Sequence, residues 1–174
     1  DELGELTVKL SHDLSLRPYQ EQAIESVREH YRKQGPDKPR TALVVMATGA
    51  GKTFTALSMV AATLRRSESA RVLWVAHRGE LLTQPAKQWR ALPQLASAGS
   101  CGIVQADLDQ VDARLVFAST STIARQPLAK ESRLRRIFAA GAPSLVVLDE
   151  AHHYASDGKS QWAQLLQALE QLMP

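Results

Sequence analysis

At 174 residues, 44% of them apolar, the chain is long enough to bury a core as one domain without help from disulfides. Its single cysteine, Cys101, excludes an internal bridge and reads as a free buried thiol, which suits a reducing compartment such as the cytoplasm. No stretch approaches the ~20 apolar residues of a membrane-spanning helix, so no membrane partner is expected, and the formal charge of +3 permits a polyanionic partner without demanding one.

The chain begins at Asp1 rather than Met, which points to an excised piece or a processed product. From Arg17 to Gln34 the spacing predicts a helix with Ala23, Ile24, Val27 and Tyr31 on one stripe and Pro18 in its first turn. "GPDKP" breaks it, "TALVVM" (41–46) reads as a buried strand, and Lys52 to about Arg66 reads as a second helix. "RVLWVAH" (71–77) is a strand and Gly79 to Leu92 a helix. "ASAGSCG" is a loop, "GIVQA" and "ARLVFAS" are strands around an Asp-rich turn, and a helix runs from about Leu128 to Ala140. "SLVVLDEAHH" is a strand, and "SQWAQLLQALEQLM" is a helix with Trp162, Leu165, Leu166 and Leu169 on one face. Short apolar runs alternating with helices imply an α/β fold: a parallel sheet in three layers, with helices on both faces.

The corner between the 41–46 run and the next helix carries "ATGAGKT" (47–53). A glycine loop exposes several backbone N–H groups to one small volume, as phosphate oxygens require. Thr48, Gly49, Ala50 and Gly51 form that loop. Lys52 sets an ammonium against the β and γ phosphates of ATP, and the Thr53 hydroxyl is suited to Mg²⁺. The general G-x-x-x-x-G-K-[ST] pattern has glycine where this chain has Met46, and an ordinary turn with G-K-T is the plain alternative. Far downstream, Asp149 and Glu150 end an apolar strand at the edge where parallel sheets collect ligands. Asp149 fits Mg²⁺ beside Thr53, and Glu150 fits a group that orients or deprotonates an attacking water. A carboxylate-rich helix start is the alternative there. Two such motifs, each ending an apolar run, point together to a nucleotide site.

"ATGAGKT" and "DEAH" (149–152) resemble the phosphate loop and the acidic box of the first RecA-like motor lobe of superfamily 2 DEAH-type helicases and translocases, and "DEAHH" is similar to the type I and type III restriction motor branch with its related DNA repair helicases. "LRPYQEQAI" from Leu16 resembles that superfamily's adenine-reading segment, which implies Gln20 at the base edge and Arg17 near its face. "VLWVAHRGELLTQ" and "VFASTSTIA" resemble motifs Ia and Ib, which implies nucleic-acid backbone contacts from His77, Arg78, Ser119 and Thr122; Ser121 stands where relatives often carry glutamine. The likeness also implies that His152 couples nucleotide state to a second lobe, and that DNA is favoured over RNA.

Other features read more plainly. Asp107, Asp109 and Asp112 lack the glycine and glutamate of a calcium loop. The adjacent His152 and His153 lack zinc spacing. Lys130, Arg133, Arg135 and Arg136 read as a solvated helix face rather than a phosphate track, and Trp74, Trp89 and Trp162 as core. Nothing after Ser160 resembles the S-A-T strand or arginine finger of the superfamily. The chain is therefore expected to be an N-terminal ATP-binding lobe over 1–174, incomplete at its C-terminus and without the second lobe. Alone it is expected to hydrolyse ATP very slowly. The rival expectation is a module that holds nucleotide or nucleic acid as a switch or scaffold without turnover.

Overall fold

A computed structural model describes residues 15–34, 40–151 and 160–173. Helix α1 is Pro18–Lys33 and α2 is Lys52–Arg66; β1 (Val72–Ala76) leads into α3 (Glu80–Ala91) and the short α4 (Pro93–Ala96). Then come β2 (Cys101–Gln105), β3 (Leu108–Asp109), β4 (Leu115–Ser119), α5 (Thr120–Ile123), α6 (Arg133–Ala139), β5 (Leu145–Leu148) and α7 (Gln161–Leu172). The sheet order is β3-β2-β4-β1-β5. β2, β4, β1 and β5 run parallel, and β3 turns back antiparallel on β2.

The period of two along β1 makes the layers. Val72, Trp74 and Ala76 face a core shared with Leu57, Val60 and Leu64 of α2 and with Leu82 and Trp89 of α3. Leu73 and Val75 face a second core with Leu134 and Ile137 of α6 and with Trp162 and Leu165 of α7. A strand buried on both sides must be apolar throughout, which is why "VLWVA" shows no alternation. Each large side chain so buried contributes about 1.5–3 kcal/mol.

The end of α2 is tied to the sheet by Arg114. Its guanidinium donates to the carbonyls of Leu64 (2.5 Å) in the last turn of α2 and of Ser67 (2.6 Å), Ala98 (3.1 Å) and Ala70 (3.2 Å) in the segments around it.

Several local expectations need correction. The 41–46 run joins no strand among the described residues, and Leu43 and Val45 are 75% and 84% exposed. A ladder needs a hydrogen-bonded neighbour, and this segment is held by a helix instead. Gln34 of the α1 C-cap accepts from Thr41 N (3.0 Å) and donates to Thr41 O (2.9 Å), while Ala42–Val45 lie along Ala23, Val27 and His30. α6 starts at Arg133, not Leu128, because Ser132 caps it by accepting from Arg135 N at 3.2 Å. The Asp-rich turn contains the short β3, and the "ASAGSCG" loop is confined to Ser97–Ser100, with Ala96 ending α4 and Cys101 opening β2. Cys101 is half-buried rather than buried. On α7, Ala168 is buried while Leu166 is only half-buried.

The three tryptophans are core residues, at 1%, 1% and 4% exposure for Trp74, Trp89 and Trp162. The basic residues of 130–136 are partly committed within the protein. Arg133 donates to Ala106 O, Arg135 to Leu128 O, and Arg136 pairs with Asp109 at 2.5 Å.

Candidate functional site

The expected phosphate loop is a turn closed by Ala50 N donating to Ala47 O at 3.1 Å, and it runs directly into α2. Gly49 and Gly51 have φ of +79° and +76°, a backbone region that L side chains rarely enter. The two glycines differ in their surroundings. A Cβ on Gly49 would meet nothing within 4 Å, whereas one on Gly51 would lie 2.6 Å from Gln20 Nε2.

Gln20 is buried and spends its amide locally. Its Oε1 accepts from Arg17 N (2.8 Å), and its Nε2 donates to Ala50 O (3.1 Å) and more distantly to Gly51 O (3.5 Å). The Tyr19 hydroxyl donates to the same Ala50 carbonyl at 3.1 Å. In a trans peptide the C=O and the following N–H point in opposite directions. Drawing the Ala50 carbonyl toward α1 therefore turns the Gly51 N–H away from α1. Thr55 then donates to Gly51 O through its backbone N–H (3.0 Å) and its hydroxyl (3.1 Å), fixing the first helical turn. Lys52 is exposed and Thr53 half-buried at the N-terminus of a 15-residue helix, where free N–H groups favour an anion.

α2 packs on β5, and the end of β5 carries the two carboxylates. Asp149 N donates to Val75 O (2.9 Å), continuing the ladder one residue past the strand, and Asp149 Oδ1 accepts from Glu150 N at 2.9 Å. Glu150 has φ of +55°, a left-handed conformation that costs a side-chain-bearing residue about 1–2 kcal/mol. Burial pushes the Asp149 carboxyl above its ordinary value. The Glu150 N–H bond opposes that shift, the Glu150 charge adds to it, and the nearby Lys52 ammonium and Trp74 indole oppose it. Lys52 and Asp149 are thus close enough for one charge to act on the other. The Thr53 hydroxyl and the Asp149 carboxyl are hard oxygen donors, burial leaves the Asp149 carboxyl in need of positive charge, and such donors fit Mg²⁺.

The other expected residues follow the same sheet edge. Ala76 and Ser119 are register partners, so the residues after β1 and β4 are neighbours. Arg78 is exposed. His77 is half-buried, stacks on Trp162 with ring centroids 5.7 Å apart, and accepts from its indole N–H at Nδ1 (3.2 Å). Ser119 is buried, its hydroxyl 2.7 Å from that of the half-buried Thr122, so its side chain serves the loop rather than the surface. Arg17 and Thr48 are exposed, and His152 lies outside the described residues. Sequence reasoning missed Tyr19, which carried a signal in standing next to Gln20 on the helix.

Residues 13–173 match the family described as type III restriction enzyme, res subunit. No curated protein matches the sequence. Among solved structures the chain is similar to the UvsW helicase from bacteriophage T4, at 18% identity and a TM-score of 0.65 over 92% of this chain and 50% of that one. It is also similar to a nuclease-deletion mutant of the Type ISP restriction-modification enzyme LlaGI in complex with a DNA substrate mimic, at 19% identity and a TM-score of 0.60 over 90% of this chain and 16% of that one. The chain thus spans half or less of either protein, and at these identities the likeness is one of fold alone, a RecA-like α/β lobe. With "ATGAGKT" and the Asp149–Glu150 pair both inside the matched residues, the chain belongs to the type III restriction enzyme res subunit family.

Proposed function

We propose that the chain is the ATP-binding lobe of an ATP-dependent DNA helicase or translocase, working in the cytoplasm with a second lobe of the same parent. The observation that carries this reading is the packing of α2 on β5, which brings the Lys52 charge near enough to act on the half-buried Asp149 carboxyl.

In this reading the loop N–H groups of 48–51 and the Lys52 ammonium bind the β and γ phosphates. Thr53 and Asp149 hold Mg²⁺, which when bound draws charge from those phosphates. Glu150 orients a water for attack on the γ-phosphorus and accepts its proton as the bond to the bridging oxygen breaks. Arg17 lies at the face of the adenine and Gln20 at its edge, and Gln20 also links the base to the loop through Ala50. Arg78 and Thr122 bind the nucleic-acid backbone without reading sequence, with Ser119 orienting Thr122 and His77 supporting the corner. His152 relays nucleotide state to the second lobe. A second lobe would also bring the arginine finger, worth roughly 10³–10⁵ in turnover.

The test is ATPase activity of the parent protein with and without single-stranded or duplex DNA, beside Lys52→Ala and Glu150→Gln. DNA-stimulated turnover lost in both variants is expected. Equal turnover in all of them sinks the reading, and nucleotide binding without stimulated turnover makes the chain a nucleotide-holding module instead.

A further inference from the structure

Of the three indoles in the chain, two are paired. Trp89 Nε1 donates to Gly99 O at 3.1 Å and Trp162 Nε1 to His77 Nδ1 at 3.2 Å. The third, Trp74, is 1% exposed, and its N–H has no hydrogen-bond partner among the described residues. A buried donor left unpaired is a standing cost, and phenylalanine would fill the same space against Phe117 (ring centroids 5.8 Å apart) without incurring it.

The indole lies beside the candidate site. Trp74 sits opposite Val147 in the β1–β5 register, and both belong to the core on the α2 face. Asp149 is two residues past Val147, the next position on that face and a diagonal neighbour of Trp74 within reach of a long aromatic side chain. The indole N–H is near enough to the Asp149 carboxyl to favour its charged form, yet no hydrogen bond of ordinary length and angle joins them.

We infer that Trp74 is a positioning residue of the nucleotide site: its unpaired indole N–H bonds the Asp149 carboxylate when Mg²⁺-nucleotide draws that carboxylate into place. The inference rests on the nucleotide reading proposed above. A carboxylate offers about four lone-pair sites, so a metal ion and the indole can bind one group together. A donor of this kind orients a metal-binding carboxylate, as outer-shell partners do in general.

The experiment is ¹⁵N NMR of the 174-residue chain, with its three indole signals assigned from Trp74→Phe or, should that variant not fold, by elimination from Trp89→Phe and Trp162→Phe. On titration with Mg²⁺·ADP, the Gly49 and Gly51 amides report binding. The Trp74 indole proton is expected to move downfield and exchange more slowly while the other two indoles hold still. In Asp149→Asn that indole response should disappear. Trp74→Phe should weaken Mg²⁺·ADP binding about tenfold while leaving metal-free ADP unchanged. Shifted glycine amides with an unmoved Trp74 indole overturn the inference and leave the nucleotide reading standing; unmoved glycine amides overturn both.

Discussion

Alanine at Gly51 should cost far more than alanine at Gly49, although the two residues share nearly the same backbone angles. Each substitution forces an L side chain into the left-handed region, at about 1–2 kcal/mol. At Gly49 nothing lies within 4 Å of the new Cβ, so strain is the whole cost. At Gly51 the Cβ would sit 2.6 Å from Gln20 Nε2, and the amide must leave the Ala50 and Gly51 carbonyls. Gln20 is 4% exposed, so the displaced amide adds about 1–3 kcal/mol for a buried polar group deprived of its partners. Urea unfolding should therefore place Gly51→Ala about 2–5 kcal/mol below wild type and Gly49→Ala about 1–2 kcal/mol below. A double-mutant cycle isolates the clash, because in a Gln20→Ala background the Gly51→Ala penalty should fall to that of Gly49→Ala. Equal penalties for the two glycines, or a Gly51→Ala cost undiminished without Gln20, would refute the packing of α1 on the loop.

Arg114→Met should destabilise the chain by about 2–4 kcal/mol in urea unfolding, since four carbonyls at the end of α2 and its neighbours lose their donor. Arg114→Lys should recover only part of that, one ammonium being unable to span all four. Asp149 gives a pH dependence whose sign follows from its raised pKa. Its contribution to stability is complete below the ordinary value near 3.8 and is lost as pH rises through the higher folded value. Asp149→Asn should therefore gain stability relative to wild type across that window, as followed by thermal melts at stepped pH. A flat difference would contradict the burial of the carboxylate.

The motifs of the candidate site were legible because they are local. G-K-T and the Asp149–Glu150 pair are contiguous residue types with few other uses, and uninterrupted apolar runs marked β1 and β4 as strands covered on both faces. The 41–46 run misled for a physical reason. Apolar content records a preference for burial, whereas a strand exists only where another strand offers its N–H and C=O groups, and here α1 holds the segment through Gln34 and Thr41. β3 was hidden because two residues carry no period. α6 was drawn too long because the cap at Ser132 outweighs the helical spacing that begins at Leu128. Gln20 was read for the base edge, and its bonds to the loop carbonyls depend on where α1 packs, which no local pattern encodes.

The central claim is that Lys52 and Asp149 serve one nucleotide. Calorimetric titration of ADP into the wild-type chain, Lys52→Ala and Asp149→Asn, each with and without Mg²⁺, tests it most directly. Wild type should bind and should tighten with Mg²⁺. Lys52→Ala should weaken binding roughly 10- to 150-fold, the range expected for a lost hydrogen bond between charged groups. Asp149→Asn should erase the Mg²⁺ effect while retaining metal-free binding. Identical isotherms for the three proteins, or a Mg²⁺ effect that survives Asp149→Asn, would contradict the account.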